Sequence, residues 1–255
     1  MRSPVRSHES LVVDQFGGQA HAYLASTVHA QGEDLEQLAA MARARPEAVV
    51  LDLGCGAGHV SFHVAPHVAS VTACDLSEAM LAVVARTAAE RGLRNVATRA
   101  GAAERLPFAD AAFDLVLSRY SAHHWLDLGL ALREVRRVLK PGGQAVFVDV
   151  MSPGAPLLDT FLQTVEMLRD PSHGRNYGAD EWLRLVAEAG LIPESFTRRR
   201  LRLEFASWVA RMRTPELHVQ AIRSLQAAAP AEVRAHFAIE PDGSFTIDTM
   251  TLEAS

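Results

Sequence analysis

The chain has 255 residues, 49% hydrophobic and 22% charged, and its 25 basic and 30 acidic side chains give a formal net charge of -5. This is a globular composition, long enough to bury a core without disulfide or metal staples, and 16 glycines with 12 prolines exclude collagenous and low-complexity classes. A mildly acidic chain, with pI near 6.1, would be repelled by nucleic acid and anionic membrane surfaces, so neither is expected as a partner.

Cys55 and Cys74 are too few for a disulfide framework or a structural zinc site, which fits a reducing cytoplasm. The first residues, MRSPVRSHESLVVDQFGG, hold no apolar stretch of signal-peptide length, and nowhere do 18 apolar residues run together. A cytoplasmic location is therefore expected. Only Lys140 among the basic residues is lysine, and the arginines are spread along the chain.

Helical patterns around 19 to 30 and 33 to 44, broken at Gly17-Gly18 and Gly32, predict a helical cover over residues 1–45. From 46 to 150 short apolar runs alternate with helical patterns, the signature of a βαβ series. Strands are predicted at 48 to 53, 70 to 75, 95 to 99, 113 to 118 and 144 to 150, and helices at 57 to 66, 77 to 91 and 127 to 139. Leu126, Leu130, Val135, Val138 and Leu139 are expected to form the last helix's core stripe, stopped by Pro141-Gly142-Gly143. Further helices are predicted at 156 to 169 and 179 to 189. Residues 195 to 205 and 244 to 252 alternate polar and apolar as strands do. The stretch 206 to 240 between them reads as a helical insertion, interrupted by Pro215 and Pro230. Residues 46–255 are thus expected to form one α/β domain.

The most informative motif is VLDLGCGAGH, residues 50 to 59, where an apolar strand meets a helix. Gly54, Gly56 and Gly58 permit a tight turn and close approach of backbone to a ligand, above a helix N-terminus. Without a ligand, the same residues would serve as a plain strand-to-helix turn. The nicotinamide fingerprint G-x-G-x-x-G is not met, and Asp52 stands two residues before the first glycine. A carboxylate there suits a cationic ammonium or sulfonium end better than a pyrophosphate. At the end of the second strand, Asp75 can accept hydrogen bonds from both hydroxyls of an adenosine ribose, or cap the helix that follows, a role Ser77 fits better.

VLDLGCGAGH, then CDLS, then AERLPFADAAFDLV, then REVRRVLKPGG resembles in order and spacing the class I S-adenosylmethionine (SAM) dependent methyltransferases, closest to their UbiE-like branch, methyltransferase type 11. Residues 14 to 35, 169 to 177 and 205 to 215 are similar to a bacterial subgroup of YafE/YcgJ type. The resemblance implies a Rossmann-like sheet of seven strands ordered 3-2-1-4-5-7-6, mostly parallel with the last antiparallel, helices on both faces and a helical lid. It implies SAM as cofactor, S-adenosylhomocysteine as product and a small-molecule methyl acceptor. Carried over, Asp52, Gly54, Cys55 and Gly56 surround the methionine part, Asp75 takes the ribose, and Leu76, Ala103 and Glu104 lie beside the adenine. Ala102 departs from the aspartate common in the family, leaving the adenine amino group to Glu104, a carbonyl or water. Ser118 and Arg119 face the methionine end and the cleft.

Methyl transfer from a sulfonium is an in-line displacement that positioning and desolvation can drive, with a base needed only if the acceptor must lose a proton. No H-E-x-x-H motif or acidic cluster indicates a metal. The candidate bases are His123 and His124, after the fourth strand, and His173 and Tyr177, in a loop that could fold over the acceptor. Each pair could equally be structural, shaping its loop. Phe16 and Tyr23 of the cover could close over the cofactor, Tyr23 by an aromatic contact with the sulfonium. Arg198, Arg199, Arg200 and Arg202 form the densest basic cluster, more consistent with a solvated strand than with an anion site. Two alternatives to a methyltransferase remain: a SAM- or S-adenosylhomocysteine-binding protein that acts on a protein partner without catalysis, and a nicotinamide oxidoreductase, against which Asp52 and the broken fingerprint count.

Overall fold

A computed structural model describes residues 6–17 and 32–255. The predicted helix at 19 to 30, and Tyr23 with it, lie outside the described residues. Among the described residues eight strands form one sheet: β1 (Val49–Leu53), β2 (Ser70–Asp75), β3 (Val96–Ala100), β4 (Phe113–Arg119), β5 (Leu139–Ser152), β6 (Tyr177–Gly178), β7 (Pro193–Leu203) and β8 (Phe245–Ala254). Their order is β3-β2-β1-β4-β5-β8-β7, with the two-residue β6 pairing to β5 beside this path. β8 runs antiparallel to both its neighbours, and the pairings from β3 through β5 are parallel. This is the expected topology with one short strand added, which shifts the last two numbers by one.

Strand order reverses between β1 and β4, since β1 passes through α3 (His59–Val64) to β2 on one side, while β4 pairs on its other side. Such a switch point leaves a crevice at the carboxyl ends of the strands. Alternation along the buried strands divides the core in two. Val50, Leu115, Leu117, Val146 and Val148 face α2 (Glu33–Arg43) and α3, packing on Leu35, Leu38, Val60 and Val64. Leu51, Leu53, Val116 and Phe147 face the other way, onto α5 (Leu128–Val138) and Trp182 of α7 (Ala179–Glu188). Between β2 and β3 stands α4 (Glu78–Glu90), capped by Ser77, whose hydroxyl accepts from the Met80 amide at 3.3 Å. Ser77 rather than Asp75 takes the capping role.

The core stripe of α5 differs from the expected one. Asp127 caps the helix, accepting from the Leu130 amide at 2.8 Å, so Leu128, Ala131, Leu132, Val135 and Val138 turn inward while Leu126 and Leu130 are exposed. Two elements escaped prediction: α1 (His8–Gly17), and β6, too short for a periodicity to exist. Between β7 and β8 the chain forms α8 (Phe205–Arg211), α9 (Glu216–Ala228) and α10 (Ala231–Phe237). With α6 (Pro156–Arg169) they enclose a third apolar cluster around Leu162, Phe205, Trp208, Phe237 and Phe245. The arginines of edge strand β7 have partners: Arg198 and Arg200 reach Asp248 at 2.7 and 3.0 Å, Arg199 reaches Thr251 at 2.7 Å, and Arg202 reaches Glu240 at 2.6 Å. Among the described residues no helix is long and apolar enough to cross a membrane.

Candidate active site

The glycine turn after β1 is held from beneath: the amides of Gly54 and Cys55 both donate to the Cys74 carbonyl, at 2.8 and 3.0 Å. Gly54, Gly56 and Gly58 all have left-handed φ, of 68, 49 and 89°. A Cβ on Gly54 would strike the Ser121 hydroxyl and one on Gly58 would meet Phe62 and Val84 at 2.9 Å, whereas one on Gly56 would meet nothing within 4 Å. Gly56 opens onto a cavity of about 1080 Å³, measured out to its mouth, at the switch point.

Of the residues singled out in the sequence, Phe16, Asp52, Gly54, Cys55, Gly56, Asp75, Leu76, Ala103, Glu104, Arg119 and His124 line this cavity, joined by Tyr120 and Trp125. Ala102 is buried beside it, in a bridge to Arg105, and Ser118 does not line it, its buried hydroxyl having no partner among the described residues. Asp52 accepts from the Ser61 amide and hydroxyl through one oxygen, at 2.9 and 2.6 Å. Burial, only partly offset by Ser61, pushes its carboxyl up to about 6. Asp75 accepts from the Gly56 amide at 2.8 Å and from the Ser77 amide at 2.9 Å, one bond per oxygen, which leaves each oxygen a lone pair. Its carboxyl is also raised by burial. Glu104 staples the loop after β4, one oxygen accepting from the amides of Leu126 and Asp127 at 2.6 and 3.2 Å. Arg119 is held by Asp34 of α2 at 2.5 Å, both side chains largely buried. The Cys55 thiol is raised by burial and that of Cys74 is pushed up to about 12, so both stay protonated and unreactive.

A second cavity, of about 640 Å³, adjoins the first and shares Phe16, Tyr120 and His124 with it. Its walls carry His123, Asn176 and Asp170 together with Leu201, Leu203 and Trp208. His123 Nδ1 lies 2.6 Å from Asp149 Oδ1; a carboxylate only accepts, so Nδ1 carries the proton and Nε2 the lone pair. Burial opposes charge on this ring, but Asp149 outweighs it and raises its pKa. His124 instead donates Nδ1–H to the Ser172 carbonyl at 3.0 Å and is driven down to about 4 by burial and by His123, whose ring centroid is 4.2 Å away. His173 donates Nε2–H to Gln163 at 2.9 Å, is lowered to about 2 by burial, and borders neither cavity. Tyr177 likewise borders neither; it packs edge-on against Trp182 beneath Arg175. Sequence reasoning missed Asp149, Tyr120 and Asn176. The acid of VFVDV, alone in an apolar strand, was a usable signal for the first.

A family model described as "Methyltransferase domain" matches residues 51–147. YafE of Escherichia coli is 57% identical over 201 residues, covering 79% of this chain and 97% of its own length. The methyltransferase YcgJ of Bacillus subtilis is 38% identical over 200 residues, 78% of this chain and 79% of YcgJ. The YcgJ crystal structure superposes with a TM-score of 0.83 at 34% identity, covering 86% of this chain and 96% of that one. Demethylmenaquinone methyltransferase of Listeria monocytogenes is 33% identical over 141 residues, 52% of this chain and 60% of that enzyme. Motif order, sheet topology and relatives converge: the chain belongs to the class I methyltransferase family, in the branch of YafE and YcgJ.

Proposed function

We propose that the chain is a SAM-dependent methyltransferase acting on a small organic molecule in the cytoplasm, with residues 46–255 as its catalytic domain and residues 1–45 and 206–240 as covers. The observation that carries the reading is the pair of carboxylates, Asp52 and Asp75, flanking a glycine whose missing side chain opens onto the switch-point cavity. The residues fit the cofactor: Asp52 has an oxygen for its ammonium group, Asp75 has lone pairs for its ribose hydroxyls, and Leu76, Ala103 and Glu104 lie where its adenine would pack. Ser118 and Ala102 act from behind that wall. When bound, SAM supplies a methyl group already activated on a sulfonium sulfur.

The rest of the chemistry falls to the chain. Tyr120, Phe16 and His124 line the junction of the two cavities and exclude water there. Of the four candidate bases, we assign the proton-accepting role to His123, whose Asp149 partner fixes its tautomer and supports positive charge. His124, His173 and Tyr177 then shape the wall around it. A small acceptor is supported by the Listeria relative, whose name gives a quinone precursor as its substrate.

Calorimetric titration with SAM, S-adenosylhomocysteine and NADH tests the reading. Micromolar binding of both adenosyl ligands, none of NADH, and at least a tenfold loss in Asp75→Ala are expected. Binding of NADH alone, or full adenosyl affinity in Asp75→Ala, would overturn it.

A further inference from the structure

A buried carboxamide borders the second cavity with no hydrogen-bond partner among the described residues. Asn176 is 1% exposed and borders the cavity, and neither the oxygen nor the nitrogen of its carboxamide has a partner among the described residues. Its backbone, by contrast, is pinned: the amide donates to Gln163 Oε1 at 3.0 Å and the carbonyl accepts from Gln163 Nε2 at 2.7 Å. Native proteins seldom leave both ends of a buried amide idle, so such a group marks a place where a ligand completes the hydrogen bonding.

Two neighbouring charged groups are engaged within the protein. Arg169 donates to Glu166 at 3.1 Å, and one oxygen of Asp170 accepts from the amide and hydroxyl of Ser172 at 2.9 and 2.6 Å. The two arginines that border the cavity, Arg169 and Arg211, are matched in formal charge by its two carboxylates, Glu166 and Asp170, so the site holds no net positive charge to attract a phosphate or carboxylate. What remains is a neutral amide offering two donors and an acceptor, the lone pair on His123 Nε2, and an apolar wall of Leu201, Leu203 and Ile247.

We propose, resting on the methyltransferase reading above, that the second cavity is the acceptor subsite and that Asn176 with His123 selects a planar, uncharged head in which an acidic N–H or O–H adjoins a carbonyl oxygen, as in a cyclic lactam or an enolised 1,3-dicarbonyl. Asn176 donates to the acceptor's carbonyl and His123 Nε2 receives the adjacent proton. The acceptor atom that loses this proton forms the new bond to the methyl carbon, while the carbon–sulfur bond breaks and its electron pair stays on sulfur.

The probe is 2-pyridone, which carries the N–H and C=O side by side, with N-methyl-2-pyridone as the blocked control. Each is titrated into the full chain, with and without saturating S-adenosylhomocysteine. The expected result is saturable binding of 2-pyridone, at least fivefold weaker binding of the control, and at least tenfold weaker 2-pyridone binding in Asn176→Leu with S-adenosylhomocysteine affinity unchanged. Leu203→Trp, which fills the cavity from its apolar side and leaves Asn176 in place, abolishes probe binding in the same way and serves if Asn176→Leu fails to fold. Probe binding that survives both substitutions, equal affinity for the control, or no binding of 2-pyridone would overturn the assignment. Failure of S-adenosylhomocysteine to bind the unmodified chain would instead count against the methyltransferase reading, and the titrations without it still decide the role of Asn176.

Discussion

Burial raises the Asp52 carboxyl from its usual 3.8 to about 6, which sets stability against ligand binding. A carboxyl whose pKa is higher in the folded than in the unfolded chain favours folding below the unfolded value, and this advantage disappears as pH rises through the folded one. Ionised Asp52 should thus cost the ligand-free protein roughly 2–3 kcal/mol at pH 8, from a shift of about two pH units. Asp52→Asn is expected to raise the melting temperature at pH 8 and to change it little at pH 4, while weakening SAM by tenfold or more. Because the ligand's ammonium favours the ionised form, SAM affinity of the unmodified chain should climb from pH 5 to 7. Affinity flat across that range would remove Asp52 from the ammonium site. His123 behaves in the opposite sense, since Asp149 holds its pKa above 6.5. A base must be neutral, so turnover should fall as pH drops through that raised value, and Asp149→Asn should move the acid limb of the rate profile to lower pH. These residues were unequally legible. Asp52 and Asp75 stand at strand ends beside a glycine turn and could be read from spacing, whereas Asp149 meets His123, and Gln163 meets Asn176, only through tertiary packing.

At the scale of elements, the glycine turn separates folding from binding. Gly58 has φ of 89° and no room for a Cβ between Phe62 and Val84, while Gly56 has φ of 49° and open space. Gly58→Ala should cost about 1–3 kcal/mol of stability through strain and overpacking. Gly56→Ala should cost only the about 1–2 kcal/mol of its left-handed φ, yet place a methyl group in the cavity and cut SAM affinity tenfold or more. Thermal melts beside calorimetry check the contrast; equal stability loss without selective loss of binding would deny that Gly56 faces the ligand. The elements themselves were legible because buried parallel strands are short apolar runs and the breaks between them are glycine, proline or capping residues. The face of α5 was misjudged because Leu126 precedes the cap at Asp127 and so never joins the helical period. β6 rests on hydrogen bonding to β5 alone and leaves no pattern to read.

For the molecule as a whole, topology brings the parts together. The switch between β1 and β4 makes the first cavity, and β5, β7, β8, α6 and α8 build the second against it, with Tyr120, Phe16 and His124 where they meet. The order and spacing of four motifs foretold the sheet and the first cavity. The second could not be read, because its walls come from residues 16 to 247, whose proximity only the folded chain creates. In the proposed reaction donor and acceptor meet at this junction. The most direct measurement is a crystal structure of the protein with S-adenosylhomocysteine. The expected complex has the ribose hydroxyls on Asp75, the ammonium group on Asp52 and the sulfur turned toward Tyr120 and His124, open to the second cavity. A ligand whose sulfur is walled off from that cavity, or which sits away from both carboxylates, would contradict it.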